Sequence, residues 1–266
     1  MTNSTISRPG PGTCTLVGAG PGDPELLTLK AAKAIASATV LFVDDLVSDA
    51  VVAHASPQAR IVYVGKRGGC KSTPQAFIEK LMIAAVREGE NVVRLKGGDP
   101  FIFGRGGEEV EHLREAGIAV SVVNGITSGL AGLTSLGAPL THRDRAHGVL
   151  FMTGHAKPGD DGPDWRQIAA TAHAAKLTLV IYMGVSSVEQ ITAELLTGLP
   201  GSTPVAVIQH ASLPRQRHAL TTLATLPECI ARSGLASPSV MVIGDVVQGV
   251  AAWQAQGASA LQTAAA

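Results

Sequence analysis

Hydrophobic residues in this chain are grouped in short aliphatic runs, separated by longer segments in which apolar positions recur at helical spacing. Uninterrupted aliphatic runs are typical of strands covered on both faces, and the segments between them supply the covering helices. The pattern therefore predicts an α/β fold. The predicted strands cover residues 13–17, 39–43, 60–64, 91–95 and 119–123, and then, after Thr141, residues 149–153, 178–182, 204–208 and 239–243.

Helix boundaries are marked by capping residues. Asp23 followed by Pro24 predicts a helix over residues 25–36, since these residue types favour the N-cap and first helical position. The spacing from Ser72 to Gln75 predicts a second helix, and residues 187–196 have the pattern of another. The apolar face of the second helix consists of Phe77, Ile78, Leu81, Met82 and Ala85, which we expect to be core.

The restart of the pattern after Thr141 indicates two successive α/β domains. Residues 141–147 are polar and lie between the two series of strands. We therefore expect an N-terminal domain over residues 13–145 and a C-terminal domain over 146–250. We expect residues 1–12 to be a disordered lead-in and 251–266 to be a tail.

Composition limits the possible functions. The 21 Lys+Arg balance the 21 Asp+Glu, and charged residues make up only 16% of the chain, which argues against a nucleic-acid-coating protein. The least charged stretch, residues 116–141, carries five glycines and a proline and is not a membrane span. Cys14, Cys70 and Cys229 show no metal-ligand or disulfide spacing. With no apolar leader segment, these features predict a soluble cytoplasmic protein without a metal.

A glycine turn follows the first strand. Residues 18–22 read Gly-Ala-Gly-Pro-Gly and offer backbone N–H groups to an anion. Asp44, at the end of the second strand, resembles the acid that binds the ribose of NAD. The third glycine comes one residue early for a dinucleotide fingerprint, so this signal alone is weak.

A wider loop follows the fourth strand. Five glycines fall within residues 94–109, more than an ordinary connection needs. At the carboxyl end of a parallel strand, such a loop is a typical ligand site. Asp99 offers a hydrogen-bond acceptor, while Arg94, Lys96 and Arg105 offer positive charge.

In these loops and in several other segments, the sequence resembles the uroporphyrinogen-III C-methyltransferases, which methylate a tetrapyrrole with S-adenosylmethionine. The resemblance runs from Cys14 to Val247. It rests on residues 17–30, on Val64-Gly65-Lys66-Arg67, on the loop 94–109 and on 139–144, and in the second half on Thr153-Gly154-His155, Tyr182-Met183-Gly184 and 214–217.

The resemblance implies a two-domain tetrapyrrole methylase fold with the active-site cleft between the domains, and a homodimer as the working form. It implies methylation of uroporphyrinogen III at C2 and C7 to precorrin-2, for sirohaem or cobalamin biosynthesis, with S-adenosylhomocysteine as by-product. No membrane, nucleic-acid or metal partner is implied. Asp44 matches the family's proton acceptor and Lys66 its proton donor. The cofactor contacts would be Pro21, Gly97, Gly98, Asp99, Ile102, Thr127, Ser128, Met183 and Ala211.

The substrate carries on the order of eight carboxylates that are ionised at neutral pH, so a neutral protein must concentrate its cations near it. Arg105, Lys66, Arg67 and Arg143 are the predicted substrate-binding residues. Further cations fall in or beside the same loops, namely Lys71, Arg94, Lys96 and Arg145. We expect this set to capture the carboxylates.

The chain departs from the family pattern in three places. Asp45 follows Asp44 where members usually have arginine or alanine, and Asn124 stands where proline is usual. The segment 129–135 lacks a common tyrosine. A second carboxylate at Asp45 is expected to repel an anionic substrate or to raise the pKa of its neighbour.

Two other functions fit part of the pattern. The first is a methylase of the same fold that acts on a later corrin precursor or on a protein side chain. The second, from a different class, is a nicotinamide-dependent oxidoreductase or a regulatory nucleotide-binding module, suggested by residues 18–22 and Asp44. Stabilisation by one cofactor and not the other separates these classes.

Overall fold

The computed structural model describes residues 12–65, 74–155, 159 and 162–250, which form two compact units. The first ends at Thr127 and the second begins at Ser128, earlier than the boundary near residue 145 that the polar seam predicts. The reason is that the helix at 128–134 packs against the second sheet, where Leu133 joins a core with Val180. The predicted lead-in, apart from Gly12, and the predicted tail lie outside the described residues.

The described residues of the first unit form five strands and four α-helices. All five aliphatic runs predicted in this half are strands, with ends shifted by one residue or less. The strands are β1 (Thr13–Gly18), β2 (Val40–Val43), β3 (Arg60–Tyr63), β4 (Asn91–Lys96) and β5 (Val120–Val123), and the helices are α1 (Leu29–Ser37), α2 (Asp49–Val52), α3 (Gln75–Arg87) and α4 (Gly106–Glu115).

The first sheet is parallel throughout, with strand order β3-β2-β4-β1-β5. Helix α1 covers one face, where Ile35 packs with Leu41. Helices α3 and α4 cover the other face, where Met82 and Leu113 pack with Leu16. Because the strands are parallel, the loops after β1, β2, β4 and β5 all leave from one edge of the sheet, which we call the first carboxyl edge.

The predicted start of the first helix is wrong. Asp23 accepts a hydrogen bond from the backbone N–H of Glu25 (2.9 Å) and caps only a single 3₁₀ turn. The chain is extended again at Leu27, and α1 begins at Leu29, with the hydroxyl of Thr28 accepting from Ala31 N–H (3.0 Å). The glycines of 18–22 therefore do not open a helix, as a dinucleotide fingerprint requires.

The other two helix predictions are largely confirmed. Helix α3 begins at Gln75 and buries Ile78, Met82 and Ala85, whereas Phe77 is exposed and not core. Ser72 and Thr73 of the predicted capping box lie outside the described residues. The helix expected over 187–196 is observed as Val188–Leu195.

The part of the second unit that the structure describes also forms five strands and four α-helices. Four of the strands were predicted. The fifth, Arg217–Thr222, was not, because it is an edge strand with exposed Arg217 and His218 and no aliphatic run. The strands are β6 (Gly148–Thr153), β7 (Leu177–Tyr182), β8 (Pro204–Gln209), β9 (Arg217–Thr222) and β10 (Ser239–Ile243), and the helices are α5 (Ser128–Thr134), α6 (Trp165–Ala175), α7 (Val188–Leu195) and α8 (Leu226–Ser233).

The second sheet is mixed, with order β6-β7-β10-β8-β9. Strands β7 and β8 are both antiparallel to β10, so they run in the same direction and end at the same edge. Tyr182 of β7 and Ile208 of β8 both pair with Val240. We call this end the second carboxyl edge.

The described part of the chain contains neither a membrane-spanning helix nor a metal site. It contains no helix with the length and apolar character that crossing a bilayer requires. It also contains no group of three His, Cys, Asp or Glu side chains placed to hold a metal ion.

Candidate active site

Three glycines, one at the end of β1 and one in each of the loops after β4 and β5, pack backbone against backbone at the first carboxyl edge. A Cβ atom on Gly18 would lie 2.5 Å from the backbone nitrogen of Gly125 and 2.7 Å from the carbonyl oxygen of Gly98. Gly98, at φ 68°, also exchanges two backbone hydrogen bonds with Gly20 (2.7 and 3.2 Å). Part of the glycine richness of this region therefore serves close packing of the loops, which only residues without a side chain permit.

Asp99 connects the loop after β4 with the loop after β5. It is buried, and its Oδ1 accepts a hydrogen bond from the backbone N–H of Phe101 (2.8 Å). Its Oδ2 accepts from the side-chain amide of Asn124 (3.2 Å) and from the backbone N–H of Gly125 (3.0 Å). Both carboxylate oxygens thus have protein donors, and the side chain holds the loop in shape. Asn124, a departure from the family pattern, is one of these donors.

A buried ionic group lies beneath the same edge, on the face covered by α3 and α4. Glu109 of α4 is fully buried, and Arg94 and Lys96 of β4 are only 2% and 3% exposed. Glu109 accepts from Arg94 Nε (3.0 Å) and Gln75 Nε2 (2.8 Å), and lies 3.0 Å from Lys96 Nζ. Burying such charges is tolerable only when they are paired and hydrogen-bonded.

Burial and pairing together shift the pKa values of Lys96 and Glu109. Burial lowers the pKa of Lys96, and the charge of Arg94 lowers it further, against the attraction of Glu109. Burial alone would raise the pKa of Glu109, but Arg94, Lys96 and Gln75 together hold it below its usual value. Glu109 is therefore an ionised partner for both cations.

Asp44 lies at the end of β2, next to this ionic group. Its Oδ1 is 3.9 Å from Arg94 Nη2 and accepts a hydrogen bond from the backbone N–H of Asp45 (3.1 Å). The Asp44 side chain is 35% exposed, so a ligand at this edge can reach it. The carboxylate of Asp45 is exposed and packs against Gly65, where a Cβ atom would clash with it.

The cations predicted to bind substrate have different surroundings. Arg94 and Lys96 are paired internally, so the expectation that they capture substrate carboxylates is wrong. Arg105 is 57% exposed and forms an ion pair with Glu108 (2.6 Å), whose hydrogen bond raises the Arg105 pKa. Arg143 is exposed in the second unit. Lys66, Arg67 and Lys71 lie outside the described residues.

The remaining predicted cofactor residues of the first unit also lie at the first carboxyl edge. Pro21 follows the Gly20–Gly98 bridge. Gly97 packs against Leu46, whose Cβ would lie 2.7 Å from a Cβ at position 97. Thr127 is buried, with its hydroxyl 3.8 Å from the Cβ position of Gly98, and Ile102 is exposed between Phe101 and Phe103.

Three predicted cofactor residues belong to the second unit and lie at the second carboxyl edge. Met183 directly follows β7, and Ala211 lies two residues after β8. Ser128 begins α5, whose Gly129 N–H donates to the hydroxyl of Tyr182, the last residue of β7 (2.9 Å). The second unit therefore brings all three to one edge.

Backbone strain marks the same loops. Left-handed φ angles are costly for residues other than glycine and cluster at ligand sites. The described residues contain six such positions, of which Lys176 is a helix C-cap. The other five all lie at the two carboxyl edges: Phe103, Arg105, Met183, His210 and Ser212.

His210, next to Ala211, adds a polar group to the second carboxyl edge. Its Nδ1 is buried without a hydrogen-bond partner among the described residues. Burial, and then the charge of Arg215, lower the pKa of His210. The imidazole is thus kept neutral beside the predicted cofactor loop.

Sequence reasoning missed two residues of these edges, Glu109 and Gln216. Arg94 and Lys96 lie in the otherwise apolar strand β4, and buried cations imply an acidic partner on the covering helix. Glu109 is that partner. The side chain of Gln216 accepts a hydrogen bond from the backbone N–H of Ser212, in the strained loop around Ala211. No signal in the sequence indicates that contact.

Comparison with known proteins identifies the class. Residues 13–227 match the model for tetrapyrrole (corrin/porphyrin) methylases, and the chain belongs to this family. A uroporphyrinogen-III C-methyltransferase of Pseudomonas aeruginosa is 50% identical over 241 residues, which cover 90% of this chain and 96% of that protein.

Solved structures agree with this assignment. The uroporphyrin-III C-methyl transferase of Thermus thermophilus, in complex with S-adenyl homocysteine, superimposes with a TM-score of 0.75 at 41% identity, covering 89% of this chain and 93% of that one. A cobalt precorrin-4 methyltransferase gives a TM-score of 0.77 at 27% identity, covering 88% and 95%. The predicted fold class and methylase family are confirmed.

Proposed function

We propose that this chain transfers methyl groups from S-adenosylmethionine to C2 and C7 of uroporphyrinogen III, giving precorrin-2 and S-adenosylhomocysteine. The observation that carries the proposal is the 50% identity, over almost the whole of both chains, to a uroporphyrinogen-III C-methyltransferase. The lower identity, 27%, to a methylase of a later corrin precursor favours the earlier substrate. The product serves sirohaem or cobalamin biosynthesis.

The cofactor is held mainly by backbone and small side chains. In the first unit these are Pro21, Gly97, Gly98, Asp99, Ile102 and Thr127, and in the second Ser128, Met183 and Ala211. The strained residues at both edges support this assignment, because Met183 is one of them and others directly adjoin Ile102 and Ala211, three of the nine positions. Asp99 contributes chiefly by shaping the loop, since its oxygens already accept three hydrogen bonds.

Methyl transfer from a sulfonium to a pyrrole carbon depends on in-line positioning and exclusion of water. The methylated ring is cationic and then loses a proton, which calls for a base. Asp44 is the proposed base because it is accessible and lies beside the paired Arg94 guanidinium. Lys66, outside the described residues, is the proposed proton donor.

Substrate binding combines charge with apolar contact. Arg105 and Arg143, with Lys66 and Arg67, are the proposed partners of the substrate carboxylates. The exposed side chains of Phe101 and Phe103, on the loop between β4 and α4, offer an apolar surface to the macrocycle. This division is favoured over a purely ionic site because Arg94 and Lys96 are buried and paired with Glu109.

We further propose that the working form is a cytoplasmic homodimer, as in the family that the sequence resembles. The unpaired state of Cys14 and Cys229, the two cysteines in the described part of the chain, supports a reducing compartment. Burial raises the pKa of Cys14 to about 12, so this thiol is unreactive.

A ligand comparison tests the cofactor assignment. A ligand that prefers the folded state raises the melting temperature according to its concentration and affinity. We expect S-adenosylhomocysteine and S-adenosylmethionine to raise the melting temperature and NAD to leave it unchanged. A shift with NAD and none with either methyl cofactor would favour the nicotinamide-binding alternative instead.

A further inference from the structure

The loop between β8 and β9 is connected to α5 through the side chain of Gln216. The backbone N–H of Ser212 donates to Gln216 Oε1 (2.7 Å). Gln216 Nε2 donates to the hydroxyl of Ser135 (2.9 Å), which in turn donates to the carbonyl oxygen of Gly132 in α5 (2.7 Å). One amide thus uses both its acceptor and its donor to join two segments 81 residues apart.

The segment held at Ser212 is strained. His210 and Ser212 have φ angles of 53° and 67°, and Ala211 lies between them, buried. His210 is held by its own N–H, which donates to the carbonyl of Pro238 (3.2 Å). Ser212 is held by Gln216. Left-handed residues other than glycine persist only where their surroundings impose that conformation, so Gln216 keeps one of the two strained residues in place.

The segment held at Gly132 packs directly on the same loop. A Cβ atom on Gly132 would lie 3.8 Å from the Cβ of Ala211 and 3.3 Å from Ile208 Cδ1. Helix α5 begins at Ser128, another proposed cofactor contact. Gln216 therefore sets the position of Ala211 relative to the helix that carries Ser128.

We propose that Gln216 is a positioning residue for the cofactor. It acts through the backbone around Ala211 and through α5, and has no proposed contact with the cofactor itself. This inference rests on the proposed function, because it assumes that Ala211 and Ser128 belong to the S-adenosylmethionine site.

The test uses three variants of the full chain. Gln216→Met keeps the length of the side chain and removes both hydrogen bonds. Gln216→Glu keeps the acceptor for Ser212 and removes the amide donor, and Ser135→Ala removes only the link to α5. The matched control is Gln190→Met on α7, where the amide donates to Glu194 in an exposed helical pair (3.1 Å).

The readouts are the dissociation constant of S-adenosylhomocysteine, measured by calorimetry well below the melting temperature, and the kinetic constants for each substrate. For Gln216→Met we expect the dissociation constant and the KM for S-adenosylmethionine to rise roughly three- to tenfold, because the loop around Ala211 is no longer held in place by these hydrogen bonds. We expect kcat and the KM for uroporphyrinogen III to stay within about twofold. Gln216→Glu should bind S-adenosylhomocysteine more tightly than Gln216→Met does. The affinity of Ser135→Ala should lie between those of wild type and Gln216→Met.

A purely structural role for Gln216 would lower the melting temperature and leave the affinity of the folded protein unchanged. That result, or an equal rise in both KM values, overturns the proposal. The wild-type titration distinguishes a failure of the proposed function from a failure of the proposed role of Gln216. If wild type does not bind S-adenosylhomocysteine, the proposed function fails and this inference fails with it. If wild type binds and Gln216→Met binds equally well, only the inference fails.

Discussion

The side-chain amide of Asn124 donates a hydrogen bond to the buried carboxylate of Asp99, with Nδ2 and Oδ2 3.2 Å apart. The contact joins the loop after β5 to the glycine-rich loop after β4. It gives Asn124 a role at a position where the family usually has proline. It also gives Asp99 a loop-supporting role in addition to its proposed contact with the cofactor.

The first prediction concerns this pair. Asp99→Ala should remove three hydrogen bonds from a buried site and destabilise the folded chain by about 1–3 kcal/mol, as expected when buried donors lose their acceptor. It should also weaken S-adenosylhomocysteine binding. Asn124→Ala removes one of the three and should have a smaller effect in the same direction. Thermal melts and calorimetric titration of both variants check this, and an Asn124→Ala effect larger than that of Asp99→Ala would contradict it.

The second prediction concerns the buried ionic group. Glu109→Gln leaves Lys96 buried without the carboxylate that lies 3.0 Å from its Nζ, and leaves Arg94 only the Asp44 carboxylate 3.9 Å away. This should cost about 3–5 kcal/mol of unfolding free energy at neutral pH. Denaturant unfolding measures this loss. Glu108→Gln, which alters an exposed ion pair on the same helix, is the control and should change stability by less than about 1 kcal/mol.

The same group predicts a pH dependence. Because the pKa of Glu109 is lower in the folded than in the unfolded chain, its stabilisation is present above the unfolded value of about 4.3 and is lost as the pH falls through the folded value. Melting temperatures recorded from neutral to acidic pH should therefore fall more steeply for wild type than for Glu109→Gln. Parallel curves would show that Glu109 does not contribute to acid unfolding.

The third prediction concerns the proposed base. Asp44→Asn should abolish or greatly slow turnover while leaving the affinity for S-adenosylhomocysteine and the melting temperature nearly unchanged. Asp45→Asn is the matched control, since its exposed carboxylate packs against Gly65, and it should remain active. Full activity of Asp44→Asn would place the base elsewhere. Loss of activity only in the double variant would mean that the two carboxylates share one role.

The fourth prediction concerns substrate charge. The KM for uroporphyrinogen III should rise with ionic strength, and the KM for S-adenosylmethionine should change little. Arg105 is exposed and already paired with Glu108, so Arg105→Ala should raise the substrate KM only about two- to fivefold. Initial rates at low and high salt check this. A substrate KM insensitive to both salt and the substitution would leave apolar contact as the main source of affinity.

The sheets were predictable because their central strands are continuous aliphatic runs. Edge strand β9 was missed because Arg217 and His218 interrupt any such run. The glycine-rich loop was recognisable from composition alone, and so was its position after β4. By contrast, Arg94 and Lys96 were interpreted as ligand cations because they adjoin this loop. Their partner, Glu109, lies on the next helix, and the pairing becomes visible only when that helix packs on the sheet.

The strained residues show a second limit of sequence reasoning. Met183 and Ser212 are residue types that seldom adopt left-handed φ angles, and histidine adopts them too rarely for His210 to be recognised, so no local pattern marks these positions. Their conformation is imposed by packing and by contacts such as that of Gln216 with Ser212. Only the resemblance to a known family, and no local pattern, proposes Met183 and Ala211 as cofactor contacts.

The most direct test of the proposed function is a mass measurement of the product. Purified protein is incubated under reducing conditions with S-adenosylmethionine and uroporphyrinogen III, with an otherwise identical reaction of Asp44→Asn as control. We predict that the tetrapyrrole gains the mass of two CH₂ units in the wild-type reaction, with matching formation of S-adenosylhomocysteine. A tetrapyrrole of unchanged mass, from protein that binds S-adenosylhomocysteine, would contradict uroporphyrinogen III as the substrate.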